Sequence, residues 1–437
     1  MAASSIQLPW GPETLSLDLP SRWKIAGVLE PSALPGVPDP EAAVRQALLA
    51  PISMPRLSEL VEPGMRIALV IDDGSRPTPV ARLLPAVIEE LCRAGINLAD
   101  VTVVPALGVH RPMSQEELAA RLGGAWLEKL RWEMPDCDDP AKLAFLGTTS
   151  RGTPVYLNRV VAEADLIVSI GCIEPHIIAS FGGGYKNLVP GVAGRATIAH
   201  NHALNCQTET FNMVGQPIES NPMRLDLEEA AALVGRAIFL INAVLNSSLE
   251  VVDVVCGHPI SAHRKGTEIS ARIYGVAIPA PADVVITTSH PMDQDLRQGV
   301  KALANTIRAV KPGGTLITLI RAEEGVGVFG LANRKLPVGR TVLKWIAPLL
   351  LPRVAKLKLK GMGEEDRFFL YFALQTMIRC QALMYAPTIP AEIQSRLPFV
   401  RFVNQPQKAI AVAARRSPEA AVLVFPHGGM TYPILPE

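Results

Sequence analysis

The sequence predicts an α/β protein of two domains, each with a mainly parallel sheet flanked by helices, and an active site in the cleft between them. Three observations carry that expectation. Short apolar runs repeatedly enter polar loops and then amphipathic helical stretches, the pattern of βα units. A chain of 437 residues exceeds one ordinary core, so two domains are the default. A proline-rich turn, Pro279 to Pro281, separates an earlier series of such units from a later one. The expected domains are 1–272 and 280–405, with the tail 408–437 returning to the first.

Taken in order, the first fifty residues are rich in turn signals, with Trp23 to Pro31 containing a possible strand and Glu41 to Leu49 a helix. Met65 to Ile71 reads as a buried strand that runs into Asp72-Asp73-Gly74-Ser75-Arg76-Pro77-Thr78-Pro79, and Val80 to Ala94 as the helix that follows. In open α/β sheets, loops at the carboxyl ends of strands bind ligands. Asp72 or Asp73 would serve as an ordinary helix cap, yet two acids, a hydroxyl and an arginine exceed what capping needs. Val101 to Ala106 repeats the scheme and leads to His110, with a Ser-x-x-Glu capping box at Ser114 and Glu117. Gly152 to Asn158 is a further expected strand.

The densest stretch is Ile173 to His202. A buried strand, Ala164 to Gly171, precedes Pro175, His176, five glycines between Gly182 and Gly194, Lys186, and finally His200 and His202. Glycine at that density lets backbone N–H groups turn toward an anion or a flat ligand approach closely. Surface loops also accumulate glycine, but three histidines and a lysine around it favour a site. Ala237 to Leu245 and Leu249 to Cys256 read as strands, while His258 and His263 have no evident partner. The second series begins at Ala282 with a strand, a polar loop from His290 to Asp295, a helix from Leu296 to Val310 and a strand from Thr315 to Ile320. Asp295, Gln298 and Lys301 would open that helix, whose N-terminus favours an anion. Gly325, Gly327 and Gly330 fit GxGxxG only formally, lying too far past a strand and lacking the acid the fingerprint needs. A last strand is expected near Ala420, with His427 close to either domain.

Composition removes several classes. A formal net charge of +1 supplies no electrostatic reason for nucleic acid or an acidic membrane surface, and 49% hydrophobic with 19% charged residues describes a globular chain. The opening thirteen residues lack a basic start and apolar core, and Thr341 to Pro352 is too short to span a bilayer, so core packing is expected there. Six cysteines without CxxC spacing read as reduced thiols of a cytoplasmic protein.

Several motifs together resemble the lactate racemase family. Pro175-His176, Gly183-Gly184-Tyr185-Lys186, Pro190-Gly191 and Asn201-His202 match its central signature. The stretch from Asp72 to Pro79 is similar to its Asp-Asp-x-Thr-Arg-Pro-Thr-Pro motif, with Ser75 in place of threonine. Gly108 to Met113 resembles its Gly-x-His-Arg-Pro-Met loop. Asp295 to Lys301 resembles its Asp-Leu-Tyr-Gln-x-x-Lys helix start, with Arg297 where tyrosine is common. The resemblance covers about residues 65 to 305.

It implies a 2-hydroxy-acid racemase or epimerase that uses a nickel-pincer nucleotide, a pyridinium thioamide/thiocarboxylate mononucleotide carrying nickel, installed by separate maturation proteins. Lys186 would bear the group covalently, with Asp72, Ser75, Gly183 and Gly184 around it. His202 would be the one protein ligand to nickel. His110 and His176 would be the acid/base pair, and Arg76, Gln298 and Lys301 would hold the substrate. Arg297 would suit a substrate larger or more polar than lactate. Two alternatives stay open: a zinc-type hydrolase using His200 and His202 as an H-x-H pair on a strand, and a non-catalytic binder of a nucleotide or hydroxy acid.

Overall fold

A computed structural model describes residues 4–327, 329–336, 338–356, 362 and 364–436. After an antiparallel pair, Ser4–Trp10 with Glu13–Leu19, the first strand of the two large sheets, β1 (Trp23–Val28), pairs far along the chain. The next six are β2 (Ile67–Asp72), β3 (Val101–Ala106), β4 (Arg131–Trp132), β5 (Leu166–Ile173), β6 (Ala237–Leu245) and β7 (Val251–Gly257). They form one sheet in the order β7-β6-β5-β2-β3-β4, parallel except for the β6–β7 pair. The second sheet holds β8 (Ala282–Thr288), β9 (Val310–Leu319), β10 (Gln381–Tyr385), β11 (Arg401–Val403) and β12 (Ala420–Phe425). Its order is β11-β10-β9-β8-β12-β1, and every pair is parallel.

The central strand β2 is buried at all six positions, as a strand covered on both faces must be. Its side chains alternate: Ile67, Leu69 and Ile71 pack in one core, Ala68 and Val70 in another. Each fully buried Leu or Ile contributes about 1.5–3 kcal/mol. Strand β2 pairs with β3 on one side and β5 on the other, so the chain leaves it in opposite directions. Such a switch point opens a crevice at the strands' carboxyl ends. The register Asp72↔Ala106 and Ile71↔Ile170 brings the loops that follow these three strands side by side.

Helices flank the sheets. Those that position the site are α1 (Val80–Arg93), α2 (Gln115–Leu122), α3 (Arg195–Ala203), α4 (Pro222–Ala232), α5 (Pro259–Tyr274), α6 (Leu296–Gly299), α7 (Lys301–Thr306), α8 (Arg340–Lys356) and α9 (Glu364–Arg379). The capping box opens α2: the Ser114 hydroxyl accepts from Glu117 N–H and the Glu117 carboxylate from Ser114 N–H.

Four details differ from the sequence reading. The tail strand β12 lies in the second sheet between β8 and β1, not with the first, and β1 from the opening residues joins it there. Val422, Leu423, Val424 and Phe425 are buried, and pairing on both edges satisfies their backbone groups. The strand within Gly152 to Asn158 (Pro154–Asn158) pairs antiparallel with Leu143–Thr148 outside both large sheets. The single helix expected from Leu296 to Val310 is broken into α6, α7 and a final 3-10 turn. Helix α8 packs Leu343, Ala347 and Val354 inward, while Val342, Trp345 and Leu349 are exposed. Among the described residues no helix is long and apolar enough to cross a membrane.

Candidate active site

Asp72, the last residue of β2, accepts from the Thr78 hydroxyl and from Cys172 N–H at 3.1 Å. It thereby ties the loop after β2 to the end of β5. Complete burial pushes its carboxyl up, against the pull of Arg121 and Thr78. Asp73 turns instead to His110: its Oδ2 lies 2.7 Å from His110 Nδ1, while its Oδ1 accepts from Ser75 N–H at 3.1 Å and Ser75 Oγ at 2.6 Å. Burial opposes the Asp73 charge, but the bonds from His110 and Ser75 outweigh it and hold the carboxyl below its usual range.

The loop after β5 contributes an acid, a histidine and a lysine. Glu174 is buried and ion-paired with Arg76. Burial alone would raise its carboxyl; Lys301 and Arg76 bring it below the ordinary value. His176 Nδ1 accepts from the backbone N–H groups of Ile178 and Ala179, each at 3.2 Å. In a neutral ring the proton therefore resides on Nε2, which lies 3.0 Å from Lys186 Nζ. Burial, then the charges of Lys186 and Arg76, push this imidazole well below its usual value. Lys186 is itself buried, and burial with Arg76 and Arg224 pushes its amine well down despite Glu174 and Asp72. Burial thus disfavours the charged form of both groups, and it is the amine form of a lysine that is nucleophilic.

A buried scaffold shapes the turn that presents Lys186. Gly183 has φ of 71°, and a Cβ there would stand 2.5 Å from Asn242 Oδ1. The Gly184 N–H donates to that same Asn242 oxygen at 2.8 Å. The fully buried Arg224 of α4 donates to the carbonyls of Ala179 (3.3 Å), Gly183 (3.2 Å) and Phe181. Its desolvation is severe enough to bring the guanidinium down to about 10. His263 of α5 donates from Nε2 to the Gly182 carbonyl at 2.8 Å, and burial, then Arg224, keep it neutral.

Asp73, His110, Glu174, His176 and Lys186 line one cavity of about 620 Å³, whose lining does not include Asn242, Arg224 or His263. Of the residues singled out in the sequence, Asp72, Ser75, Arg76, His110, His176, Gly183, Lys186, His202, Arg297, Gln298 and Lys301 all face it. Gly184 does not; it is turned to Asn242 and His263. The cavity thus joins loops that follow strands of both sheets. Lys301, at the start of α7, sits 3.9 Å from Met292 Sδ; burial pushes its ammonium down, Glu174 opposes this and Arg76 and Arg297 add to it.

The H-x-H expectation fails. His200 and His202 lie on helix α3, where residues two apart point about 200° away from each other. His200 Nδ1 meets the Thr153 hydroxyl at 2.8 Å, while His202 lines the cavity with Ile198 and Ala199. Among the described residues neither joins a group of three metal donors. Sequence reasoning in turn missed Glu174, Arg224 and Asn242, and left His263 without a partner. A polar Asn242 inside the apolar run Ala237 to Leu245 was a usable signal. Arg224 carried none, since a helix arginine is ordinarily exposed.

An acid-braced histidine, a second histidine against a buried lysine, and several cations around them define the class as an α/β enzyme. Comparison supplies the particular family. Residues 10–213 match the lactate racemase N-terminal domain. The chain is 33% identical over 328 residues to the lactate racemase of Thermoanaerobacterium thermosaccharolyticum, 74% of this chain and 76% of the relative. It is 30% identical over 294 residues to that of Lactiplantibacillus plantarum, 66% and 67% of the two chains. The lactate racemase apoprotein structure from the former organism superposes with a TM-score of 0.84 at 26% identity, covering 99% of this chain and 100% of that one. A Thermotoga maritima protein superposes with a TM-score of 0.65 at 17% identity over 91% and 98%, a likeness of fold alone. The chain belongs to the lactate racemase family.

Proposed function

We propose that this protein inverts the α-carbon of a 2-hydroxy acid, as a racemase or epimerase, with a nickel-pincer nucleotide carried on Lys186. The observation that bears most weight is Lys186 itself, a buried amine 3.0 Å from His176 Nε2, its charged form disfavoured by burial, in a cavity shared with His110. The surroundings fit the group. A buried amine whose charged form is disfavoured suits covalent attachment, the imidazole of His202 suits nickel, and Asp72, Ser75 and Gly183 line the same cavity. When bound, the group supplies a hydride acceptor, an easier route than removing a weakly acidic α-proton.

The chain's own residues do the rest. His110, braced by Asp73, and His176, held through Nδ1 by two backbone amides, would give and take the proton of the hydroxyl, one serving each enantiomer. Arg76 and Lys301 would fix the carboxylate, with Gln298 beside them. Burial of these groups in one cavity strengthens each interaction by excluding water. The cavity would be the cleft between the two halves of the chain, and separate maturation proteins would install the cofactor. Six free cysteines agree with a cytoplasmic setting.

The test is chiral. Protein produced together with the maturation proteins and nickel is given one enantiomer of a 2-hydroxy acid, and the products are resolved on a chiral column while intact mass is recorded. Appearance of the opposite enantiomer, with a mass increment located to Lys186, is expected. Inversion with an unmodified Lys186 would remove the attachment, and no inversion of any 2-hydroxy acid would remove the assignment.

A further inference from the structure

The cavity has two chemically different ends, and only one of them has a role in the reading above. Arg76, Glu174, His176, Lys186 and Lys301 make a charged end. The other end is walled by Phe329, Leu331, Phe369, Phe372, Leu397 and Phe399, carried by α9 and by segments around the second sheet. All but Phe369 are nearly inaccessible, so this is an interior surface and not a patch on the outside. Aromatic walls that stay open toward a polar site are a binding feature, because a core of this composition otherwise closes on itself.

The two ends are continuous through α7. Lys301 opens that helix, and Leu303 and Ala304, two and three residues on, line the same cavity. On the opposite side α3 carries His202, Ile198 and Ala199 into the cavity and packs against α9. A carboxylate held at Lys301 would thus share one cavity with the aromatic wall, with Leu303 and Ala304 lining the same space.

We infer that the preferred substrate is a 2-hydroxy acid with a bulky apolar side chain, aryl or branched alkyl, which fills this aromatic end. The inference rests on the racemase reading and names its substrate class. The nucleotide does not account for all of the space, since its ribose and phosphate are polar and its attachment point, Lys186, belongs to the charged end, which leaves only its pyridinium ring to meet apolar walls. Lactate does not account for it either, having one methyl group to bury. A polyhydroxylated or dicarboxylic side chain would need partners there, and the polar groups at that end are engaged: Asp366 faces Arg334 at 3.9 Å and the Thr376 hydroxyl donates to the Phe372 carbonyl at 2.9 Å. Arg297 does not change this, because its charge acts on Lys301 and so belongs to the carboxylate end. Of the expectation that Arg297 raised, a substrate larger than lactate is retained and a more polar one is not.

The experiment uses the matured enzyme and chiral separation with lactate, malate, 2-hydroxy-4-methylpentanoate and 3-phenyllactate. The kcat/KM for one of the two bulky apolar acids should exceed that for lactate by about tenfold or more, the usual return on filling an apolar pocket. Ala373 of α9 also lines the cavity, and Ala373→Leu, which fills part of the aromatic end, should lower that preference ratio by about tenfold. If lactate or malate is the best substrate of the unaltered enzyme, the inference fails while the racemase reading stands. If none of the four is inverted, the inference fails, and the racemase reading fails with it only when no other 2-hydroxy acid is inverted either. An Ala373→Leu ratio equal to the parent's overturns the placement of the side chain.

Discussion

Replacing Asp73 by asparagine tests how the proposed acid/base pair is prepared. Asp73 presents one oxygen to His110 Nδ1 at 2.7 Å and has the other fixed by the N–H and hydroxyl of Ser75, so it cannot swing away. The carboxylate accordingly holds one tautomer of His110, with Nδ1 protonated and Nε2 free to act on substrate. Asparagine retains the size and the bonds from Ser75 but removes the charge. A hydrogen bond to a charged group is worth about 1.5–3 kcal/mol. If that is lost only in the transition state, kcat falls by about 10- to 150-fold with little change in KM. Steady-state inversion rates of the matured variant, alongside its urea unfolding curve, separate this from damage to the fold. Asp73→Asn with unchanged kcat, or with KM raised and kcat intact, would refute the orienting role.

Three further outcomes follow from the same site. Lys186→Met should abolish the covalent mass increment yet stabilise the unmodified protein by about 1–2 kcal/mol, because a buried amine whose desolvation opposes folding is replaced by an apolar side chain. The lysine's folded pKa is depressed, so the unfolded chain binds more protons below its ordinary value near 10.5. The parent should therefore gain stability relative to Lys186→Met as pH rises toward that value, as thermal unfolding across pH 7–10 would show. Arg224→Met leaves the carbonyls of Ala179, Phe181 and Gly183 without their donor and should cost about 2–4 kcal/mol in urea unfolding, with reduced loading of Lys186; a loss within about 0.5 kcal/mol would contradict the scaffold. His200→Ala should leave turnover intact while His202→Ala abolishes it and lowers bound nickel; equal losses would revive a role for both histidines.

The loops that build the site were legible because central parallel strands are long apolar runs, and the polar residues that follow them stand out. Asp72 to Arg76, His110 and Lys186 were found in this way. The break after Gly299 was not legible, since an isolated glycine is usually tolerated within a helix. Its cause is tertiary: a Cβ there would stand 2.3 Å from Ile320 Cγ2, so α6 sits closer to β9's end than any other residue would allow. The pairing of β12 with β1, separated by almost the whole chain, depends on which edge of β8 is left open, and no local pattern encodes that. The strand pair of His200 and His202 was one open alternative; the segment is instead helix α3, tied down where the Thr197 hydroxyl donates to the Pro154 carbonyl and accepts from Tyr156 N–H. His263 and Arg224 act on backbone carbonyls, and a residue whose partner is backbone leaves no motif.

The most direct test of the account is a single-turnover-insensitive one: incubate the matured enzyme with one pure enantiomer until composition stops changing, then repeat from the other enantiomer. A racemase must reach the same end point from both sides, equal amounts of the two forms for a substrate with one stereocentre, with the protein carrying its mass increment on Lys186. Conversion from one side only, or an unchanged enantiomer with fully loaded Lys186, would contradict the assignment of this cavity to 2-hydroxy-acid inversion.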